Sequence, residues 1–334
     1  MYKNFWLLIC LLLVASMIVV GGFTRLSNSG LSITEWKPIT GVIPPISDVA
    51  WDIELHKYKH SPEYIQHNFD INLQQFKFIY LTEFVHRLLG RITVLTFILP
   101  MIFFHLKGRL RISYPYLLIG FLFCFQGFMG WYTVKSGLIS NPHVSHLRLA
   151  SHLTIAFIIY GLIFWQFLEN SYNNNIHIEK VNLAQTKRLS TWSLILLLLQ
   201  IYLGGLVAGL EAGKVYNSFP LMGHSFIPED LNITNSLLVN INNPVLIQFV
   251  HRLNSYLLMT AGVALSISLF KTGRTKLRVV ASCIIISLVL QMLLGIFTLL
   301  KHVPMNIALL HQAGAIFVLS ALIYSRYVIK KITY

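Results

Sequence analysis

Apolar runs long enough to cross a bilayer recur along the whole of this 334-residue chain, at about 5–22, 78–104, 114–134, 148–168, 191–210, 246–270, 277–300 and 305–328. A run of about 18 or more apolar residues spans the hydrocarbon core as a helix. A soluble domain of this size could not hide so many. The runs are continuous rather than alternating, which argues against a β-barrel. Only 11% of the residues are charged, against roughly a quarter in soluble domains. The expectation is an all-α integral membrane protein of eight transmembrane helices in contact with membrane lipid.

The net charge of +14 would suggest a nucleic-acid partner in a soluble protein. Here topology accounts for it, and no nucleic acid is implied. Lys107, Arg109 and Arg111 follow the second span, and Lys187 and Arg188 precede the fifth. Lys271, Arg274, Lys276 and Arg278 join spans six and seven, and Arg326, Lys330 and Lys331 end the chain. All fall on one side if Lys3 does too. Short loops rich in Lys and Arg mark the cytoplasmic face, so both termini are expected there. The long segment 23–77 then lies outside. Lys3 and the run behind it resemble a signal peptide, but the run is long and lacks a small-residue cleavage site, so the first helix is expected to be retained. Cys10, Cys124 and Cys283 all lie inside spans, where they read as small core residues and not as a disulfide framework.

The halves repeat. Residues 83–88 read Glu-Phe-Val-His-Arg-Leu and residues 248–253 read Gln-Phe-Val-His-Arg-Leu. Gln126 and Gly130 recur as Gln291 and Gly295, and Gly21-Gly22 as Gly204-Gly205. Span four carries His152, and span eight carries His311. The chain therefore reads as two tandem four-helix bundles, 1–170 and 191–334, joined by a cytoplasmic linker at 171–190. Each has an even number of spans, which makes a parallel pseudo-twofold repeat.

His86, His152, His251 and His311 all fall in the outer half of their spans, one pair per unit. Ionisable groups inside a membrane are costly and usually functional. Imidazole is an axial ligand of heme iron, and bundle cores hold such cofactors between facing helices. A lone His in a span reads more simply as a hydrogen-bonded core residue, but four repeat-related ones do not. Arg87 and Arg252 directly follow two of the histidines, and Arg91 lies one turn beyond Arg87. A buried Arg needs an anion, and heme propionates are such anions. Arg25 and Arg148 are further candidates, with snorkelling to the interface as their plainer reading. His56, His60, His67, His143, His146 and His302 read as solvated loop residues.

One carboxylate breaks the symmetry. Glu83 stands three residues before His86, on the same helix face, while its repeat mate is Gln248. A di-iron site would need a second Glu-x-x-His and two more Glu, which the spans lack. Glu83 is thus a candidate catalytic group in one unit, with an ion pair to Arg87 alone as the plainer alternative. Gln248 further suggests that an amide fits the fold at this position.

At this point the chain resembles the heme A synthases. The resemblance rests on Arg25-Leu-Ser-Asn-Ser-Gly-Leu-Ser-Ile-Thr-Glu-Trp-Lys-Pro, Glu83-Phe-Val-His-Arg-Leu-Leu-Gly-Arg and Gln126-Gly-Phe-Met-Gly-Trp. It continues with Val144-Ser-His-Leu-Arg-Leu-Ala-Ser-His, Ala212-Gly-Lys-Val-Tyr-Asn-Ser-Phe-Pro-Leu-Met and Gln248-Phe-Val-His-Arg-Leu, so it covers nearly the whole chain. It implies oxidation of the methyl group of heme O to a formyl group, giving heme A for terminal oxidases, with oxygen from water. It also implies that His86 and His152 flank the substrate iron, that His251 and His311 ligate a heme B, and that Glu83 is the catalytic carboxylate. Heme O synthase and cytochrome oxidase assembly factors are the implied partners, and a homo-oligomer is left open. The first outer segment lacks the cysteine pair of some members, which resembles the alphaproteobacterial and mitochondrial branch. With no transit peptide visible, a multi-pass bacterial inner-membrane protein is expected. A di-heme cytochrome b without chemistry of its own, and a heme transporter, are the competing readings. A prenyl transferase is disfavoured, because no span-edge loop has an Asp-rich diphosphate motif.

Overall fold

Local signals in the sequence set where the helices begin. Asn72 caps one helix by accepting from Gln75 N at 2.9 Å, while the Gln75 side chain accepts from Asn72 N at 3.1 Å; this reciprocal box satisfies two orphan donors. Asn243 likewise accepts from Val245 N and Leu246 N, with Pro244 at the first helical position, where its missing N–H costs nothing. The computed structural model describes residues 2–139, 142–171 and 183–332.

The helices are α1 (Tyr2–Leu26), α2 (Asp48–Lys59), α3 (Pro62–Gln66), α4 (Leu73–Leu106), α5 (Tyr114–Gly137), α6 (His146–Ser171), α7 (Ala184–Gly209), α8 (Leu237–Ile241), α9 (Pro244–Phe270), α10 (Thr275–Leu300) and α11 (Met305–Ile332). A 3-10 turn, Ala212–Lys214, follows α7. Eight of these, α1, α4, α5, α6, α7, α9, α10 and α11, are long and apolar enough to cross a membrane. They correspond one to one with the apolar runs of the sequence, and several extend beyond them. The protein is a multi-pass, all-α membrane protein.

Pairwise packing repeats the order of the chain. α1 packs on α4, α4 on α5, α5 on α6 and α6 on α1; in the second half α7 packs on α9, α9 on α10, α10 on α11 and α11 on α7. The two rings meet where α6 touches α7, α1 touches α11 and α6 touches α11. Small residues permit that close approach, as they do between membrane helices generally. A Cβ on Gly205 would stand 2.6 Å from the Ala150 backbone across the α6–α7 seam.

The core divides the bundle into two levels. One large apolar cluster joins Trp6, Phe97, Phe123, Phe157, Leu265 and Leu322, among others. It fills the half nearer the termini. On α1 it ends at Ile18, and on α4, α9 and α11 it begins only at Phe97, Leu258 and Ala315. The four histidines occupy the other half, below the segments joining α1 to α4 and α7 to α9.

Two expectations change. The segment 23–77 is not simply a loop. It carries α2 and α3, and α4 starts at Leu73. Lys187 and Arg188 do not precede the fifth span but lie in the first turns of α7. Most of the proposed linker, residues 172–182, lies outside the described residues.

Candidate functional site

His152 stands six residues after His146, His311 six after Met305 and His251 seven after Pro244. At about 1.5 Å per residue, all three lie roughly 10 Å from their helix starts. His86 is thirteen residues into α4, counted from Leu73, because α4 projects about two turns further into the loop end. His146 is the first residue of α6 and not a loop residue.

Each histidine ring faces a glycine on a neighbouring helix. An ideal Cβ would fall 3.3 Å from His86 Nε2 at Gly21, and 3.2 Å from His152 Cε1 at Gly130. In the second half it would fall 3.4 Å from His251 Cε1 at Gly204, and 2.9 Å from His311 Cε1 at Gly295. The repeated glycines of the sequence are therefore the surfaces against which the imidazoles lie. The repeated glutamines hold the same histidines from behind: Gln126 Nε2 donates to His152 O at 3.0 Å and Gln291 Nε2 to His311 O at 2.8 Å.

His86 and His152 belong to the N-terminal ring, on α4 and α6, and His251 and His311 to the C-terminal one, on α9 and α11. His152 Nδ1 and His311 Nδ1 are buried with no hydrogen-bond partner among the described residues. Among those residues no group of three or more His, Cys, Asp and Glu could hold a bare metal ion. Bare zinc or iron sites generally take three or four protein ligands. A heme brings its equatorial nitrogens and asks the protein for axial ligands only. Two imidazoles per unit, each with a buried nitrogen to spare in the case of His152 and His311, fit that demand.

Glu83 is 2% exposed and more deeply engaged than an ion pair. Its Oε1 accepts from Arg87 Nε at 3.0 Å and Nη2 at 2.6 Å. Its Oε2 accepts from Ser32 Oγ and from the backbone N–H of Ile33, both at 2.8 Å. The carboxylate thus fastens the segment after α1 onto α4. Arg87 continues the clasp by donating to Ile33 O and Glu35 O.

The second unit builds the same clasp with reversed polarity. The register that pairs Gly21 with Gly204 pairs Ile33 with Tyr216. There Gln248 Nε2 donates to Tyr216 O at 2.9 Å, and its Oε1 is buried without a partner among the described residues. Gln248 fits because a carbonyl faces it, whereas an N–H faces Glu83. An amide at position 83 would keep an acceptor for that N–H in its oxygen but would turn its NH2 toward the Arg87 donors.

Residues 4–323 match the family model described as cytochrome oxidase assembly protein. The chain is 48% identical over 334 residues to the heme A synthase of Rickettsia bellii (strain RML369-C), covering 99% of each chain. It is 48% identical over 327 residues to that of Rickettsia felis and 49% identical over 327 residues to that of Rickettsia canadensis, with 97% of each chain covered in both cases. The chain belongs to the heme A synthase family.

The arginines sort by their donors. Arg25 reaches across the seam to Ala208 O. Arg87 has its Nε and both Nη groups engaged. Arg148 donates to Tyr132 O and lies 3.6 Å from the centre of that ring. Arg91 holds Pro38 O and Lys37 O, and Arg252 holds Tyr216 O, Ser218 O and Leu221 O. Arg91 Nη1 and Arg252 Nε are buried without a partner among the described residues. Those two guanidinium groups keep a buried donor, which an anion such as a carboxylate would satisfy.

Four polar participants escaped the sequence reading: Ser32, the Ile33 amide, Gln200 and Asn254. Ser32 and Ile33 lie in a segment with no periodic signal. Gln200 and Asn254 have no polar repeat mates, so the internal repeat could not expose them.

Beside the site, Glu63 of α3 is 6% exposed and accepts from Tyr58 Oη at 3.0 Å. Burial pushes its carboxyl up to about 7, against a smaller opposite pull from that hydrogen bond.

Proposed function

We propose that the chain oxidises the methyl group of heme O to a formyl group, with the reaction confined to the N-terminal unit, residues 1–170. The supporting observation is the unequal repeat: two matched histidine pairs, and a buried carboxylate beside only one of them. In this reading His86 and His152 flank the substrate iron, while His251 and His311 of the C-terminal unit, 191–334, hold a resident heme B. That heme supplies a low-spin redox centre when bound.

Converting a methyl to a formyl group with water adds one oxygen and releases protons and electrons in equal number, the electrons passing to an acceptor outside this chain. Glu83 lies one turn from His86. All the acceptor positions of its carboxylate are occupied, by Arg87, Ser32 and Ile33. Taking up a proton would displace a donor, whereas stabilising positive charge that develops at the substrate's methyl carbon would not. We therefore assign Glu83 an electrostatic role. Preorganised groups of this kind act without reorganising at the moment of reaction, and exclusion of water by the apolar surroundings strengthens them.

The basic residues of the short loops support a topology with both termini in the cytoplasm and the Glu83 clasp at the outer face of a bacterial inner membrane. Supply of heme O by a heme O synthase and delivery of heme A to oxidase assembly factors complete the proposal. The test is expression beside a heme O source and mass analysis of the extracted hemes. A formyl product that depends on this chain supports the reading. Recovery of heme B and unaltered heme O alone would leave a cytochrome b or a heme carrier.

A further inference from the structure

The two units agree in their histidines but not in what touches them. Gln200 stands one turn before Gly204 on α7. Its Nε2 lies 3.2 Å from both ring nitrogens of His251 and donates to the His251 backbone carbonyl, also at 3.2 Å. A position equally close to both nitrogens lies over the face of the ring; in the ring plane it would collide with the carbon between them. The amide is not free to turn over. Its Oε1 accepts from Asn254 Nδ2 at 2.7 Å, and the same Nδ2 donates to Leu196 O at 3.1 Å. Asn254 is 4% exposed. His251 is thus held by its backbone and its ring face, through an amide that is itself held.

The N-terminal unit lacks this device. The register that matches Gly204 with Gly21 matches Gln200 with Met17, and the register that matches His251 with His86 matches Asn254 with Leu89. Neither side chain carries an amide. Met17 Cε instead packs against α4, 3.5 Å from where a Cβ on Gly90 would stand. A thioether and an isobutyl group fill the space without fixing the orientation of a neighbouring imidazole.

We propose that Gln200 and Asn254 form an amide clamp that makes His251 a fixed iron ligand, and that its replacement by Met17 and Leu89 leaves His86 able to release iron, so that heme exchanges at the N-terminal unit and not at the C-terminal one. Gln200 is a positioning residue in this scheme, acting through His251. The inference rests on the assignment of heme B to His251 and His311. It adds what that assignment does not state: which side chains make one heme resident and the other a passing substrate. Groups behind a ligating histidine typically change metal affinity by about 10–100-fold when removed.

The experiment moves the N-terminal residues into the C-terminal unit. In full-length purified protein carrying heme B, the double variant Gln200→Met, Asn254→Leu should transfer heme B to apomyoglobin about 10–100-fold faster than the parent. Its low-spin electron paramagnetic resonance g values should also shift, because they report the orientation of the axial imidazole planes, which a loss of packing elsewhere would not alter. Unchanged transfer rate and g values would overturn the proposal. The reverse variant Met17→Gln, Leu89→Asn covers the case in which the first fails to fold. It should slow transfer of heme A from the N-terminal unit by about tenfold or more, and an unchanged rate overturns the proposal equally. His311→Ala separates the two levels of the argument. If it keeps the heme B spectrum, the heme assignment is wrong. If it loses that spectrum while the clamp variants behave as the parent, only the clamp is wrong.

Discussion

Glu83→Gln removes a charge from a side chain that accepts four hydrogen bonds. The amide oxygen of a glutamine can still accept from Ser32 Oγ or Ile33 N, but its NH2 then faces Arg87 Nε and Nη2, which donate to the carboxylate at 3.0 and 2.6 Å. Breaking a buried ion pair by removing one partner costs about 3–5 kcal/mol. Arg87 keeps Ile33 O and Glu35 O, so the cost falls on the clasp between the segment after α1 and α4, and not on the bundle. Loss of an electrostatic group of this kind costs about 100-fold or more in rate. A loosened clasp could mimic that loss, so the decisive control is Ser32→Ala. It removes one donor at 2.8 Å, worth about 1.5–3 kcal/mol when the acceptor is charged, and leaves the carboxylate and Arg87 in place. Heme A formed per molecule of heme-loaded protein is the assay. The expected outcome is a loss of about 100-fold or more in Glu83→Gln, with heme O accumulating, and less than about tenfold in Ser32→Ala. Equal losses in the two variants would show that Glu83 acts by anchoring the segment, and near-normal output from Glu83→Gln would refute the electrostatic role altogether.

Three further outcomes are expected. Gly295→Ala places a methyl 2.9 Å from His311 Cε1; overpacking of this kind costs about 1–3 kcal/mol and should weaken heme B retention, read from the heme-to-protein ratio after purification. Glu63 titrates near 7 in the folded outer segment because it is buried, and in the ordinary carboxylate range when exposed. The folded form therefore binds more protons between those values, and stability of the segment should fall as pH rises from about 4.5 to 7, by up to about 3 kcal/mol; proteolysis of the segment 48–72 should quicken over that range in the parent and not in Glu63→Gln. Finally, periplasm-dependent reporters should be active when fused at about residue 50 and silent at the C-terminus; activity at the C-terminus would reverse the topology.

Much of this was legible in the residues. Continuous apolar runs identify the membrane helices because the bilayer imposes a length on them, and the Phe-Val-His-Arg-Leu repeat exposes the two units. The four histidines stand out because an imidazole inside a span needs a reason. What the sequence hides is direction. Arg87 and Arg252 suggest anions, yet most of their donors go to the carbonyls of Ile33, Glu35, Tyr216 and Ser218. Those partners lie thirty or more positions away, in segments with no periodicity. The difference between Glu83 and Gln248 is visible in the letters, but only the backbone opposite them, an N–H in one unit and a carbonyl in the other, shows what each side chain holds. Gly130 and Gly295 are visible as a repeat, but their purpose, a surface for an imidazole, appears only once α5 lies against α6 and α10 against α11.

The division of labour between the units is tested by the hemes recovered from two single variants. His86→Ala and His311→Ala are expressed separately beside a heme O source, and the hemes are extracted and identified by mass. His86→Ala should keep its low-spin heme B and yield no heme A, while His311→Ala should lose heme B. Loss of heme B from His86→Ala with retention in His311→Ala would contradict that division of labour.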